Sequence, residues 1–250
     1  MFVMHHSVFL PFEESTVVSA LAADLTFSLN DVPHPLSLLA AKKLQLHLQH
    51  EREWKHNFGL SPDAEGTIIG KMFGVLVVRT RQGELGYLAA FSGKLAGGNH
   101  HAKFVPPIFD GLVEGGFVNA GMTKLTKINE EISSLESEND HAHVEQIRLL
   151  KVLRKSHSTA LQNRIFGQYH FLNKAGESKS LNEIYKNPPA GAGECAAPKL
   201  LQYAFRHQME PLALAEFWWG LSPKSDYWKH GHFYPPCKEK CASILAHMLA

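Results

Sequence analysis

Apolar positions at helical spacing dominate the first part of the chain. In the run LSLLAAKKLQLHLQHEREW, which begins at Leu36, apolar side chains fall on one face and charged ones on the other. This periodicity predicts an amphipathic helix, with Ser37 near its start as a candidate N-cap. The apolar face comprises Leu36, Leu39, Ala40, Leu44 and Leu48. Residues 1–35, which prolines interrupt, are expected to form an irregular arm.

Short apolar runs further along predict strands. VLVV (75–78) and LGYLAAF (85–91) flank the polar stretch Arg79–Glu84, a pattern that predicts a β-hairpin with two largely buried strands. QYHFLNKAGESKS predicts two shorter strands around a turn. The run PLALAEFWWG predicts another strand, between a helix that begins near Cys195 and a last helix that begins near Cys237.

Residues 122–166 have a charged, helical pattern. Two apolar stripes, separated by the polar break ESENDH, predict two helices joined as an antiparallel hairpin. Asp140 in the break is a candidate cap for the second helix. The first helix and the break are acidic and the second helix is basic, which is typical of a solvated hairpin with complementary faces. The alternative is a phosphate-binding stripe formed by Arg148, Lys151 and Lys155.

Together these elements predict an α/β fold, a mixed sheet with packed helices. Segments 1–121 (arm, helix and β-hairpin) and 167–250 (the part with the cysteines) are expected to pack as one domain, with the helical hairpin 122–166 as an insertion. Lys+Arg (25) and Asp+Glu (24) nearly cancel, so any nucleic-acid surface must be local. The N-terminus has no positive segment before its apolar run, so neither signal peptide nor membrane span is predicted, and a cytoplasmic protein is expected.

The three cysteines are the strongest candidates in the sequence for a metal-binding or catalytic role. Such clustered, odd-numbered thiols favour a metal or catalytic role in a reducing compartment over a disulfide framework. Cys237 and Cys241 lie four residues apart on one helix face, while Cys195 opens another helix, whose N-terminus favours thiolate. Three thiolates would hold one Zn²⁺, with water, His230 or His232 as fourth ligand. The alternative is three small core residues.

The order of strand pair, helix with Cys, strand and helix with Pro-Cys resembles the zinc-dependent nucleobase deaminase fold. There, a His or Cys two residues before a Glu pairs with P-C-x-x-C. GAGECAAPKLL and PPCKEKC match the ligands, with one extra residue between the last two cysteines. Ala197 stands where the resemblance puts the catalytic glutamate. Glu194 and Glu216 are the candidate carboxylates to replace it.

A second resemblance covers nearly the whole chain. The stretches that carry it are HPLSLLAAKKLQ, GKMFGVLVVRTRQGELGYLAAFSGKLAG, FVPPIFDGL, GAGECAAPKLLQYAF, PLALAEFWWG and KHGHFYPPCKEKC. They resemble the N-terminal region of certain long bacterial RluA-type RNA pseudouridine synthases. In that family the region precedes a synthase domain that isomerises uridine in RNA without metal or cofactor, using the Asp of an Arg-Leu-Asp motif. No Arg-Leu-Asp triplet occurs in these 250 residues, so the resemblance implies an accessory part rather than the catalytic one.

Aromatic residues and cations crowd together near the last two cysteines. Trp218, Trp228 and Lys229 are candidate RNA contacts, because rings stack on unpaired bases while cations meet phosphates. The alternative is that the rings are core. The Gly-rich run FSGKLAGGNHH, which contains Lys94, could cradle a phosphate, but it fits neither the P-loop spacing nor the dinucleotide fingerprint, so it predicts a turn.

Three functional hypotheses follow. The leading one is an RNA-associated N-terminal accessory domain of an RNA pseudouridine synthase that acts on rRNA or tRNA, with a zinc site and a synthase catalytic domain in the same chain or pathway. The second is a zinc-dependent, deaminase-like enzyme that acts on a nucleobase. The third is a protein-interaction module that works through the helical hairpin.

Overall fold

The computed structural model describes residues 8–13, 16–23, 25–29, 32–138 and 140–250. Within these ranges seven α-helices accompany seven strands, and a single 3-10 turn (His141–His143) precedes the fourth helix. In chain order the elements are β1 (Leu10–Pro11), α1 (Thr16–Ala22), α2 (Pro35–His50), β2 (Lys71–Arg79), β3 (Leu85–Phe91), α3 (Phe117–Glu138), α4 (Val144–Phe166), β4 (His170–Leu172), β5 (Ser178–Ser180), α5 (Leu181–Ile184), α6 (Ala196–Arg206), β6 (Glu210–Trp219), β7 (Phe233–Tyr234) and α7 (Lys238–Met248).

The main sheet has five strands in the order β1-β3-β2-β6-β7, and β4 pairs with β5 in a separate two-stranded sheet. In the centre Phe73 of β2 lies opposite Phe91 of β3 and Phe217 of β6. The class of helices packed on a sheet is confirmed, but the expected mixed sheet is wrong, because every strand pairing is antiparallel. A tight turn forces this for β2 and β3. Among the described residues, one isolated bridge is parallel: it joins Ala89 of β3 to Phe104, which lies outside the strands.

Both faces of the sheet are covered, which follows from the alternation of side chains along each strand. Phe73, Val75 and Val77 of β2 pack in a core with α1 and α2. Leu76 and Val78, on the other face, pack in a second core with α6 and α7. The uninterrupted apolar run of β2 is what a strand buried on both faces requires.

Helix α6 lies directly on the sheet at Gly74. A Cβ on Gly74 would come 2.9 Å from the Cβ of Ala196 and 3.1 Å from Cδ1 of Leu200, so only glycine permits this close approach. The predicted helix starts are confirmed, since Cys195 is the N-cap residue of α6 and Cys237 that of α7. The packing at Gly74 therefore fixes the first turn of α6, with its thiol, against the sheet.

Helices α3 and α4 form the predicted antiparallel hairpin, which begins at Phe117 rather than near residue 122. Asp140 caps the 3-10 turn before α4 rather than α4 itself, because its carboxylate accepts the N–H of Ala142 at 2.9 Å. Ile128 and Ile132 of α3 are buried. Helix α4 leaves several large apolar side chains exposed, namely Val144, Leu149, Val152 and Leu153.

Two predictions near the N-terminus are wrong. The described part of the expected irregular arm contains β1 and α1, and α1 buries Val18 and Ala22 in the core it shares with α2. The cap of α2 is His34 rather than Ser37, because Nδ1 of His34 accepts the N–H of Leu36 at 3.2 Å. Ser37 is buried inside the helix, where its hydroxyl donates to the carbonyl of His34 at 2.8 Å.

Candidate functional site

The thiols of α6 and α7 interact where the first turns of the two helices meet. All three thiols are free, with Cys241 buried, Cys195 half-buried and Cys237 exposed. The interaction with the Cys195 thiol raises the pKa of the Cys241 thiol; burial and the charges of Cys195, Glu216 and Cys237 raise it further. The structure thus brings Cys195 and Cys241 together and leaves Cys237 one helical turn away, at the surface.

Glu216 of β6 extends into the same region. Its side chain is only 4% exposed, and its Oε1 accepts the backbone N–H of Ala197 at 3.0 Å. Burial raises the pKa of Glu216 to about 7, although the hydrogen bond from Ala197 favours the charged form and acts in the opposite direction. The carboxyl group of Glu216 on β6 is therefore hydrogen-bonded to the backbone of Ala197. Ala197 is the position that the deaminase resemblance assigns to the catalytic glutamate.

Glu194 has a different set of partners. Its Oε1 accepts the hydroxyl of Tyr169, and its Oε2 lies 3.3 Å from Nζ of Lys199. Lys199 is 4% exposed and also donates to the carbonyls of Phe91 and Gly93, at 3.2 and 3.3 Å. Glu194 is therefore the counter-ion of a buried lysine. Lys199 was not among the candidate residues, although it is the one cation in the otherwise apolar first turns of α6.

The candidate histidine ligands do not join the thiols. Nδ1 of His230 accepts the N–H of Gly220 at 3.0 Å, and its ring contacts Trp219, which belongs to the core on the other face of the sheet. The side chain of His232 is exposed. In the described ranges no three His, Cys, Asp or Glu side chains are grouped closely enough to hold a metal ion. The donor chemistry suits Zn²⁺, but of the proposed ligands only Cys195 and Cys241 lie in the buried part of this junction.

Four aromatic rings form a cluster at the end of β6. We call Trp218, Tyr227, Trp228 and Tyr234 the aromatic cluster. The rings of Trp218 and Trp228 stack with centroids 5.1 Å apart, and Tyr227 and Tyr234 each lie 4.8 Å from Trp228. Tyr227 is 63% exposed, and Lys229 beside it is also exposed. Unlike the core rings Phe217 and Trp219, these rings reach the surface.

The aromatic cluster and the carboxyl share one face of the sheet. Glu216 and Trp218 are two residues apart on β6, and Tyr234 of β7 lies directly opposite Glu216. Side chains at these positions point to the same side, which is the side that α6 and α7 cover. Nε1 of Trp218 is buried and makes no hydrogen bond to any described residue.

The predicted basic stripe lies along a groove of the helical hairpin. Arg148, Lys151 and Lys155 line an open cavity of about 730 Å³ between α3 and α4. Arg148 is paired with Glu145 at 2.6 Å and Lys151 with Glu136 at 2.7 Å. Lys155 makes no ion pair within the described ranges. The side chains are thus aligned as predicted, but two of the three charges are already balanced by carboxylates.

No helix in the described ranges is both long and apolar enough to cross a bilayer.

Comparison with known proteins identified no relative of this chain. No family model, curated protein or solved structure matches it.

Proposed function

We propose that this chain is an RNA-associated accessory domain that works with an RNA pseudouridine synthase. The resemblance of its sequence to the N-terminal region of RluA-type enzymes supports this role. The sequence lacks the Arg-Leu-Asp triplet, so uridine isomerisation belongs to a separate synthase domain, and the role of this chain is to hold the RNA.

The observation that carries the proposal is the aromatic cluster. An exposed ring, Tyr227, and an exposed cation, Lys229, lie two residues apart in one loop, and the Tyr227 ring contacts Trp228, which stacks on Trp218. The hydroxyl of Tyr234 accepts the N–H of Lys229 at 2.8 Å and donates to the carbonyl of Tyr227 at 2.7 Å, which holds this loop in place. Rigid rings beside a cation are the chemistry that binds unstacked bases of single-stranded RNA.

Substitution of Tyr227 tests this proposal with little risk to the fold, because the side chain is largely exposed. Tyr227→Ala removes the ring, whereas the matched control Tyr227→Phe keeps it. Stacking on one base is worth about 1–3 kcal/mol, so we expect Tyr227→Ala to weaken binding of a single-stranded oligoribonucleotide by about 5-fold to 150-fold in a fluorescence anisotropy titration. Tyr227→Phe is expected to bind like the unsubstituted protein. Equal affinities of the Ala and Phe variants would contradict the proposal.

A zinc-dependent, deaminase-like activity on a nucleobase is the second candidate. The bond from the Ala197 amide to Glu216 favours it, because Glu216 comes from another strand to the backbone of the residue that replaces the family glutamate. Oε1 of Glu216 accepts that amide, which leaves Oε2 to take up a proton from water and return it to the departing amine. In the described ranges Cys195, Cys237 and Cys241 are not grouped closely enough to hold a metal ion, so this candidate requires Cys237 to move inward before the three thiolates could hold a Zn²⁺ that activates the water.

Metal analysis and a deamination assay test this second candidate. Ammonia release from cytidine and adenosine nucleotides is measured after the protein has been supplied with zinc. Glu216→Gln keeps the acceptor for Ala197 but cannot take up the proton, so we expect bound zinc to remain and ammonia release to stop. The control Glu210→Gln changes an exposed carboxylate on the same strand and should retain activity. Absence of both zinc and ammonia release in the unsubstituted protein would rule out this candidate.

A further inference from the structure

Three lysines gather around the Gly-rich turn that follows β3. The carbonyl of Gly93 accepts Nζ of Lys199 at 3.3 Å, and a Cβ at Gly93 would lie 3.9 Å from Nζ of Lys71. Lys94 is the next residue and is exposed. The N–H of Gly93 donates to the carbonyl of Glu194 at 2.9 Å, which ties the turn to the residue before Cys195. In sequence, this turn combines three glycines with Lys94, which gave it phosphate binding as the alternative to a plain turn.

The lysine group carries more positive charge than its neighbours balance. Glu194 is paired with Lys199. The side chain of Lys71 makes no hydrogen bond or ion pair to any described residue, although Lys71 is partly buried. Burial lowers the pKa of Lys71, and the charges of Lys199 and Lys94 lower it further. A partly buried ammonium group beside two others is stabilised by an anion, and Glu194 alone does not supply enough negative charge.

The lysine group adjoins the aromatic cluster. Gly70, which directly precedes Lys71, packs against the indole of Trp218, since a Cβ there would lie 2.6 Å from Nε1 of that ring. Lys71 itself lies opposite Trp219 at the end of the sheet. The backbone next to the lysine group thus contacts the aromatic cluster, although the Lys71 side chain points to the opposite face of the sheet from Trp218.

We propose that Lys71 and Lys94 bind a phosphate group, with the buried Lys199–Glu194 pair fixing the turn between them. Phosphate is the anion that fits, because two unbalanced ammonium groups can balance the charge of a phosphate monoester or diester. The ligand is thus a phosphate group, either the monoester of a free nucleotide or a diester of an RNA strand. The inference deepens the proposed RNA association, since it gives that surface its phosphate site, but the phosphate site is tested separately.

The test compares Lys71→Gln/Lys94→Gln with the control Lys42→Gln/Lys224→Gln. Lys42 lies on α2 and Lys224 in the loop after β6, and both are exposed, so the control removes two charges outside the site. Isothermal titration calorimetry measures the binding of inorganic phosphate, a nucleoside 5′-monophosphate, the nucleoside without phosphate and a single-stranded oligoribonucleotide. Circular dichroism and the melting temperature establish that each variant is folded.

We expect the Lys71/Lys94 variant to lose at least tenfold in affinity for inorganic phosphate and for the monophosphate, while the control binds like the unsubstituted protein. A tighter complex with the oligoribonucleotide than with the monophosphate identifies RNA as the source of the phosphate; the reverse identifies a free nucleotide. If inorganic phosphate and the monophosphate do not bind, or bind equally to both variants, the phosphate site is refuted. If the phosphate site is refuted in this way but Tyr227→Ala still weakens RNA binding, the RNA proposal stands. Failure of the phosphate site and failure of the RNA proposal are therefore distinguishable.

Discussion

The buried carboxyl of Glu216 gives the fold a pH dependence that can be measured directly. The side chain is 4% exposed, and among the described residues its hydrogen-bond donor is the N–H of Ala197 at 3.0 Å. Burial raises its pKa from 4.5 to about 7. Because the folded state binds this proton more tightly than the unfolded state, the contribution to stability is fully present below pH 4.5 and is lost as the pH rises through about 7.

The magnitude follows from the change in pKa. At about 1.4 kcal/mol per pH unit, a rise from 4.5 to about 7 corresponds to about 3 kcal/mol of unfolding free energy. Glu216→Gln removes the titration and keeps an oxygen that accepts the Ala197 N–H. We therefore expect the unfolding free energy of the Glu216→Gln variant to increase relative to that of the unsubstituted protein by about 2–3 kcal/mol between pH 5 and pH 8.

Urea denaturation at several pH values, followed by circular dichroism, tests this prediction. Metal-free protein is used with a chelator present, so that zinc does not contribute to the difference. Glu210→Gln serves as the control for removing an exposed carboxylate from the same strand. A difference between the Glu216→Gln variant and the unsubstituted protein that stays constant from pH 5 to pH 8 would show that this carboxyl does not titrate as its burial requires.

Three further perturbations test other parts of the structure. Lys155→Gln is expected to reduce the slope of log affinity for RNA against log salt by about 0.7, whereas Lys151→Gln, which removes an already paired charge, should leave the slope unchanged; equal slopes would show that the stripe is only solvated surface. Gly74→Ala places a methyl group 2.9 Å from a methyl of α6 and should cost about 1–3 kcal/mol of unfolding free energy, while the control Gly98→Ala, whose nearest neighbour would be at 3.6 Å, should cost less. Under the zinc-dependent candidate, which requires Cys237 to move towards Cys195 and Cys241, Cys237→Ser is expected to lower the zinc content measured by elemental analysis; an unchanged zinc content would contradict that candidate.

Local periodicity was sufficient for most of the elements. The buried strand run of β2, the amphipathic pattern of α2 and the cysteines at the starts of α6 and α7 depend on neighbours in sequence. The structure has these elements in the predicted order. Helix α1 was not predicted because it is seven residues long and buries only Val18 and Ala22. Two apolar positions are too few to show a helical period. His34 as the cap of α2 was missed because Ser37 has the more familiar capping side chain.

The candidate site was less predictable because its contacts join distant segments. Glu216 and Ala197 are 19 residues apart, and Lys199 bonds to a carbonyl 108 residues away. Neither contact leaves a periodic signal. The antiparallel pairing of β6 with β2 likewise depends on the path of the chain over more than 130 residues, which no short pattern encodes. The candidate residues can therefore be found in the sequence, but which of them lie in contact depends on how the strands pair in the sheet.

Cross-linking tests the proposed RNA association most directly. A uridine-rich single-stranded RNA is irradiated with ultraviolet light in the presence of the full chain, and the cross-linked peptides are mapped by mass spectrometry. RNA held by the aromatic cluster should cross-link at Tyr227 or Trp228, and unlabelled RNA should compete the cross-links away. Cross-links that fall only in the helical hairpin, or none that unlabelled RNA removes, would contradict the account.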